Sequence, residues 1–247
     1  MTTYNHDSIV PFKDSEATKK QQIASMFDRI AFRYDFLNRF LSGGIDIYWR
    51  KRTIRELKNL NPQSILDVAT GTADMALMMH KYLAPQKITG IDISTGMLEI
   101  GRQKIAKAGL QNTIELFTGD SEAIQFADNS FDAITVAFGV RNFENLEQGL
   151  REMLRVLKPG GRLAILEFSQ PKTPGIRQLY SLYLKIVAPG LGKMLSSSRE
   201  AYQYLNDSVQ AFPEGPALAR ILDQTGYKNT RFRRLSLGIC TIYIGEK

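Results

Sequence analysis

The sequence predicts an α/β fold: a mostly parallel sheet with helices on both faces. Three observations predict it. From Ser64 to Glu167, short apolar runs alternate with amphipathic helical patterns. Strands joined by right-handed helical crossovers lie parallel. Within that region, Ser64–Asp74 passes from an apolar strand through an acid into a small-residue turn around Gly71. The next strand ends on Asp92, 21 residues beyond that glycine, which is the layout of a nucleotide-binding crossover. Finally, Lys228–Arg234 and Gly238–Glu246 read as strands joined by a short loop, which suits an antiparallel hairpin.

Each element has its own warrant. Residues 1–15 are polar and read as a flexible tail, with residues 16–247 as one domain. Residues 16–60 form a helical N-terminal cap. Ile23, Met26, Phe27, Ile30 and Ala31 recur at helical spacing, the pattern continues through Tyr34–Ser42, and Gly43–Gly44 breaks it. Asp46–Lys58 is a further helix, rich in Arg and Lys. Strands follow at Ser64–Val68, Lys87–Ile91, Ile114–Thr118, Phe131–Ala137 and Gly161–Glu167, with helices at Ala73–Tyr82, Ser94–Ala108 and Leu146–Val156 between them. Lys158-Pro159-Gly160-Gly161 reads as a tight turn into the fifth strand. Residues 170–205 interrupt the rhythm as a helical insertion that can serve as a lid, and Pro213–Thr225 resumes as a helix.

Composition narrows the function. The chain has 247 residues, 43% hydrophobic and 23% charged, enough for a real core. Its net charge of +7 suits an anionic partner or surface. A single cysteine, Cys240, cannot form an internal disulfide and fits a reducing compartment. Two histidines, His6 and His80, cannot build a His-rich metal site, so no metal is expected. The N-terminus carries no signal-peptide pattern, and no apolar stretch reaches the ~20 residues that span a bilayer.

The turn after the first strand, Ala69-Thr70-Gly71-Thr72-Ala73-Asp74, holds one glycine where a dinucleotide site needs several. Asp67 and Asp74 flank it and would repel a diphosphate, whereas they suit a ligand carrying an amino group and a sulfonium. This charge logic favours S-adenosylmethionine over a nicotinamide dinucleotide. Asp92 can accept from ribose hydroxyls. Its other reading is a helix cap, for which Ser94 is the better candidate. Asp120 and Ser121, in the turn after the third strand, can read the adenine edge, and Ile93 and Met97 can sandwich the ring.

Five parallel strands, a helix and an antiparallel pair resemble the seven-stranded sheet of class I S-adenosylmethionine-dependent methyltransferases, a Rossmann-like fold. Past the fourth strand the chain reads Phe138-Gly139-Val140-Arg141-Asn142, with no tetrapeptide for accepting a base amine and no nearby cysteine. Arg141 offers permanently charged donors for an oxyanion on a phenolic substrate. Its other reading is a structural pair with a carboxylate, such as Glu144.

Several motifs closely resemble the ubiquinone/menaquinone biosynthesis C-methyltransferase family. They are Tyr34-Asp35-Phe36-Leu37-Asn38, Leu41-Ser42, Trp49, the F-G-x-R-N element, Arg155-Val156-Leu157-Lys158-Pro159-Gly160-Gly161 and Tyr202-Gln203-Tyr204-Leu205. The resemblance implies methyl transfer from S-adenosylmethionine to a ring carbon of a prenylated quinol, with demethylmenaquinol favoured over a benzoquinol. It implies cofactor contacts at Thr72, Asp92, Asp120 and Ser121; Gly71, Met97 and Tyr34 are further candidate contacts, and Arg141, Asn142, Tyr202 and Asp46 are the candidate catalytic residues. Thr70 and Ala73 stand where the family is richer in glycine, Asp46 where many members have histidine, and Ala137 where many have serine.

A prenyl tail fits the apolar stripe Ile176, Leu179, Tyr180, Tyr183, Ile186 and Val187. This stripe lies among Lys172, Arg177, Lys185, Lys193 and Arg199, a basic amphipathic stretch suited to an anionic bilayer. The expected chain is therefore cytoplasmic and peripheral on the inner face of the membrane, without a nucleic-acid partner, and a homodimer is compatible with it. The alternatives are methylation of another lipid-like small molecule and a non-catalytic RNA- or membrane-binding protein on the same fold.

Overall fold

The computed structural model describes residues 4–172, Gly175, Gln178 and 199–247, without the side chains of Leu41, Arg199 and Tyr202. The insertion expected at residues 170–205, with its apolar stripe, therefore falls mostly outside the described residues.

Seven strands form one sheet. They are β1 (Ser64–Val68), β2 (Lys87–Asp92), β3 (Ile114–Thr118), β4 (Phe131–Ala137), β5 (Leu157–Phe168), β6 (Lys228–Leu235) and β7 (Cys240–Glu246). Their order across the sheet is β3-β2-β1-β4-β5-β7-β6. The first five are parallel, and β7 inserts antiparallel between β5 and β6, as the hairpin pattern anticipates. Val68 pairs with both Ile91 and Val136, so β1, β2 and β4 end level and their loops converge. The chain order reverses at β1, and this is where open α/β sheets bind ligands.

Seven helices complete the described fold: α1 (Lys19–Ser42), α2 (Ile45–Leu57), α3 (Asp74–Leu83), α4 (Thr95–Lys107), α5 (Leu146–Val156), α6 (Arg199–Ala211) and α7 (Pro216–Thr225). Successive strand side chains point to opposite faces. Ile65, Ala133 and Ala164 therefore pack with Trp49, Met79 and Leu98 from α2, α3 and α4. Leu66, Ile134 and Ile165 pack on the other face with Leu150 and Met153 of α5 and Leu222 of α7.

The helical cap starts on a reciprocal capping box. Thr18 Oγ1 accepts from the Gln21 amide at 3.3 Å, and Gln21 Oε1 accepts from the Thr18 amide at 3.1 Å. The expected break falls at Gly43 and Gly44, with φ +57° and +78°, where the left-handed backbone turns α1 into α2.

Three expectations change. The segment read as a free tail is docked in this structure. Tyr4 donates its hydroxyl to Glu147 Oε1 at 2.8 Å, the His6 ring meets Phe212 edge-on at 5.1 Å, and Lys19 Nζ donates to the His6 carbonyl at 2.7 Å. Lys158-Pro159-Gly160-Gly161 is a bulge within a longer β5 rather than a turn ahead of it. Phe131 pairs with Leu157 and Ala133 with Arg162, so the extra residues arch out between two paired points. The helix expected from Pro213 starts at Pro216, after Gly215 at φ +58°, because proline is preorganised for the first helical turn.

Edge strand β6 carries Lys228, Arg231, Arg233 and Arg234 along eight residues. Arg231 and Arg233 reach Glu56 of α2 at 3.6 and 3.5 Å.

Candidate active site

A cavity opens where the loops after β1 to β4 converge, roofed by α1. Its empty space is about 660 Å³ with the open mouth included. Gly71 and Ala69 line it from β1, Asp92 and Ile93 from β2, Asp120, Ser121 and Glu122 from β3, and Phe138, Gly139, Asn142 and Glu144 from beyond β4. Met97 of α4 and Lys20, Ile23, Phe27 and Tyr34 of α1 close it.

The turn after β1 is held in unusual backbone. Ala69, Gly71 and Ala73 have φ of +53°, +56° and +63°. A Cβ at Gly71 would meet no atom within 4 Å, so the turn leaves open space for a ligand beside its backbone. The left-handed alanines carry strain of the kind that clusters at ligand clamps. Gly139 is needed for another reason: its Cβ would lie 2.5 Å from the Cβ of Ala69, so the loops after β1 and β4 touch only because that side chain is missing.

Asp92 organises the floor. Its Oδ2 accepts from the Gly71 amide at 2.8 Å and its Oδ1 from the Ser94 amide at 2.9 Å. Burial pushes its carboxyl up to about 6 against these backbone bonds. Ser94, not Asp92, caps α4: its hydroxyl accepts from the Met97 amide at 3.2 Å and donates to Asp28 at 2.6 Å. Asp92 therefore keeps lone pairs toward the cavity for a diol. Ile93 and Met97 give apolar walls for a flat ring, and Ser121 lines the same end. Asp120 lines it too, but Lys20 spans Asp120 and Glu122 at 2.7 and 2.8 Å. Burial lowers the Lys20 ammonium's pKa, yet the hydrogen bonds to Asp120 and Glu122 prevail and hold it above the ordinary lysine value.

These groups fit a nucleoside: a carboxylate for ribose hydroxyls, an apolar slot for a base and an open glycine turn. The flanking acids do not contribute as the sequence suggests. Asp67 is buried and accepts from Thr70 at 2.7 Å and Thr135 at 2.5 Å, tying the end of β1 to β4, with its carboxyl pushed by burial up to about 6. Asp74 pairs with Lys104 at 2.5 Å and Arg39 at 3.0 Å. Neither lines the cavity, so Asp92, Asp120, Glu122 and Glu144 carry its negative charge.

Other expected residues divide similarly. Tyr34 lines the cavity, and burial pushes its phenol upward. Thr72 turns its hydroxyl to Asp35 at 2.6 Å rather than inward, because Asp35 and Lys104 from two helices meet there. Asn142 lines the cavity, and its Oδ1 accepts from Tyr204 at 3.1 Å. Tyr204 thus touches a lining residue without lining the cavity itself. Tyr202 lies on α6, with its side chain outside the described residues.

Arg141 sits just behind the lining. One terminal nitrogen donates to the Phe138 carbonyl at 2.6 Å and to Glu167 Oε1 at 2.8 Å. The carboxylate partner is Glu167, not Glu144. Asp46 is not brought to the cavity either. It is buried in α2 and held by Arg39 and by the Ser42 hydroxyl at 2.9 Å.

Sequence reading missed Lys20, Asp28 and Phe138 as parts of the site. Phe138 had a signal as the first residue of the F-G-x-R-N element, and Lys20 and Asp28 had one as a polar pair eight residues apart on α1, the helix whose Ile23 and Phe27 line the cavity.

Comparison with known proteins agrees with this geometry. The ubiE/COQ5 methyltransferase family matches residues 15–247. A protein of Bacteroides fragilis named demethylmenaquinone methyltransferase is 47% identical over 244 residues, covering 99% of each chain. A protein of Geotalea daltonii named ubiquinone/menaquinone biosynthesis C-methyltransferase UbiE is 47% identical over 93% of this chain and 97% of its own. Among solved structures, a SAM dependent methyltransferase from Aquifex aeolicus aligns with TM-score 0.52 at 22% identity over 74% of this chain and 81% of its own. The [4+2]-cyclase SpnF aligns with TM-score 0.61 at 20% identity over 92% and 96%. At these identities the two structures speak for the fold alone, a class I Rossmann-like fold with an antiparallel C-terminal hairpin.

Proposed function

The chain belongs to the ubiE/COQ5 methyltransferase family, and from that premise we propose that it transfers a methyl group from S-adenosylmethionine to a ring carbon of a prenylated quinol, converting demethylmenaquinol to menaquinol. The observation that carries the reading is the near-complete match to a demethylmenaquinone methyltransferase, together with a nucleoside-shaped cavity at the point where strand order reverses.

When bound, S-adenosylmethionine supplies an electrophilic methyl group. Asp92 would take its ribose hydroxyls, Gly71 would leave room for backbone approach, and Ile93 and Met97, which line the same cavity, would hold its base. A phenolic carbon is a weak nucleophile until its hydroxyl, of pKa near ~10, ionises. Arg141, held by Glu167 just behind the lining, supplies a positive field that favours the ionised ring hydroxyl, its proton leaving to solvent. Tyr204 orients Asn142 beside it. Glu167 fixes the Arg141 head, which rules out Arg141→Ala as a clean test. Truncation leaves a buried carboxylate unpaired, at a cost of about 3–5 kcal/mol.

The test is quinone mass spectrometry of a host lacking its own enzyme and supplied with this chain. Menaquinone appears if the reading is right. Continued accumulation of demethylmenaquinone, with the chain expressed and binding S-adenosylmethionine, would falsify it.

The partner surface for a lipid-borne substrate is the outer face of the α1–α2 hairpin. Phe32, Phe36 and Phe40 recur every fourth residue and are 89%, 54% and 48% exposed, and Ile45 and Tyr48 of α2 add 45% and 50%. Arg33 of α1 and Arg52 and Arg55 of α2 lie on the same helices without an ion pair among the described residues. An apolar strip beside uncommitted cations suits the surface of an anionic bilayer.

A further inference from the structure

Lys20 reaches into the cavity from the first turn of α1. That placement does not serve the helix. A helix N-terminus carries positive partial charge and favours acids, yet α1 has no acid in its first turn. What the cation serves lies across the cavity. Its Nζ stands 2.7 Å from Asp120 Oδ2 and 2.8 Å from Glu122 Oε2, both in the turn after β3.

The two acids are not equivalent. Glu122 is committed to the protein. Its Oε1 accepts from the Glu144 and Asn145 amides at 2.8 and 2.9 Å, just ahead of α5, and its Oε2 meets Lys20. Only 9% of its side chain is exposed. Asp120 is held once on each oxygen: Oδ2 by Lys20, and Oδ1 by the Glu122 amide at 2.9 Å. An ionised carboxylate offers about four lone-pair sites, so Asp120 keeps acceptor capacity. Its side chain is 34% exposed, at the end of the cavity where Ile93 and Met97 wall the slot for a flat ring. Placement therefore passes from the start of α5 to Glu122, from Glu122 to Lys20, and from Lys20 to Asp120. Without the cation, two carboxylates gathered at one point repel, and one of them turns away or holds a proton.

We propose that Lys20 is a positioning residue for cofactor specificity: by bridging Glu122 and Asp120 it keeps Asp120 ionised and aimed at the edge of the base, so that the site selects a ring bearing an amino group. A carboxylate that only accepts gains from an N–H donor at that edge and gains nothing from a ring without one. The proposal rests on reading the cavity as the S-adenosylmethionine site, and it adds the residue that sets which base is accepted.

The test is calorimetry with two ligands: S-adenosylhomocysteine, and its counterpart in which hydrogen replaces the amino group of the ring. Both are titrated into wild type, Lys20→Met and Lys20→Arg. Wild type prefers the amino ligand about 30-fold, the range of a hydrogen bond to a charged group. Lys20→Met weakens the amino ligand about tenfold and the other ligand by less than about twofold, so the preference shrinks to a small remainder. Lys20→Arg, which keeps a cation between the two acids, retains most of the preference. A lysine that only held the roof in place would, on removal, weaken both ligands alike. That result, or a preference unchanged in Lys20→Met, overturns the proposal and leaves the methyl-donor reading standing. A wild-type chain that binds neither ligand overturns that reading, and the proposal with it.

Discussion

Asp92 joins legibility and consequence in one side chain. Its position at the end of the second apolar run marks it in the sequence, and the structure shows why an acid must stand there: it accepts from Gly71 and Ser94 while facing the cavity. Burial raises its carboxyl to about 6, and that of Asp67 likewise. The folded chain therefore holds these two protons more tightly than the unfolded chain, whose carboxylates titrate near 3.8. Their contribution to stability is complete below pH 3.8 and is lost as pH rises through about 6. Cofactor affinity runs the other way, because only the ionised Asp92 accepts from two hydroxyls. Calorimetry should show S-adenosylmethionine binding weaken as pH falls through about 6. Asp92→Asn should weaken it by about 1.5–3 kcal/mol at neutral pH and flatten that pH dependence. Side-chain direction, by contrast, was not written in the spacing. Asp67 and Asp74 look like ligand acids in one dimension, yet they turn toward Thr135 and Lys104.

The helices that shape the cavity depend on contacts between elements. Asp28 of α1 takes the Ser94 hydroxyl at 2.6 Å and the Gly96 amide at 2.8 Å, placing a carboxylate on the N-terminus of α4. A negative charge there is favourable against the helix dipole, by about 0.3–1 kcal/mol for an exposed group. The same bond joins the roof of the cavity to the helix carrying Met97. Asp28→Ala should lower stability by about 1 kcal/mol in urea titration and loosen S-adenosylmethionine binding severalfold. Unchanged affinity would mean that α1 is held by its other contacts. At this scale the sequence was readable wherever a period ran uninterrupted, as in α1, α4, α5 and the first four strands. It misled at Lys158–Gly161, because a bulge and a turn share the same residues and only the partner strand distinguishes them. The docking of Tyr4 and His6 was equally hidden, since Glu147 and Phe212 lie far along the chain.

For the whole molecule, the alternation of strands and helices together with the closing hairpin determines the order of the sheet, and the family resemblance agrees with it. Charge and apolar surface then meet at the α1–α2 hairpin. No helix among the described residues is long and apolar enough to cross a membrane; the bilayer contact proposed above uses the α1–α2 surface. In vesicle flotation, the chain should rise with anionic vesicles at low salt and remain behind with zwitterionic ones, and high salt should release it. Phe36→Ser/Phe40→Ser should cut that flotation about thirtyfold, at roughly 1 kcal/mol per ring removed. If this variant floats as well as the parent, the surface lies elsewhere.

Not all of the basicity serves a partner. β6 is one of the two outermost strands, the other being β3, and an outermost strand presents unpaired backbone to any neighbouring molecule. Lys228, Arg231, Arg233 and Arg234 lie along it. Two copies approaching edge to edge would bring those like charges together before a ladder could form. The chain thus guards its own margin against fibrillar stacking, and neutralising that strand would expose the protein to self-association without touching a single residue of its chemistry.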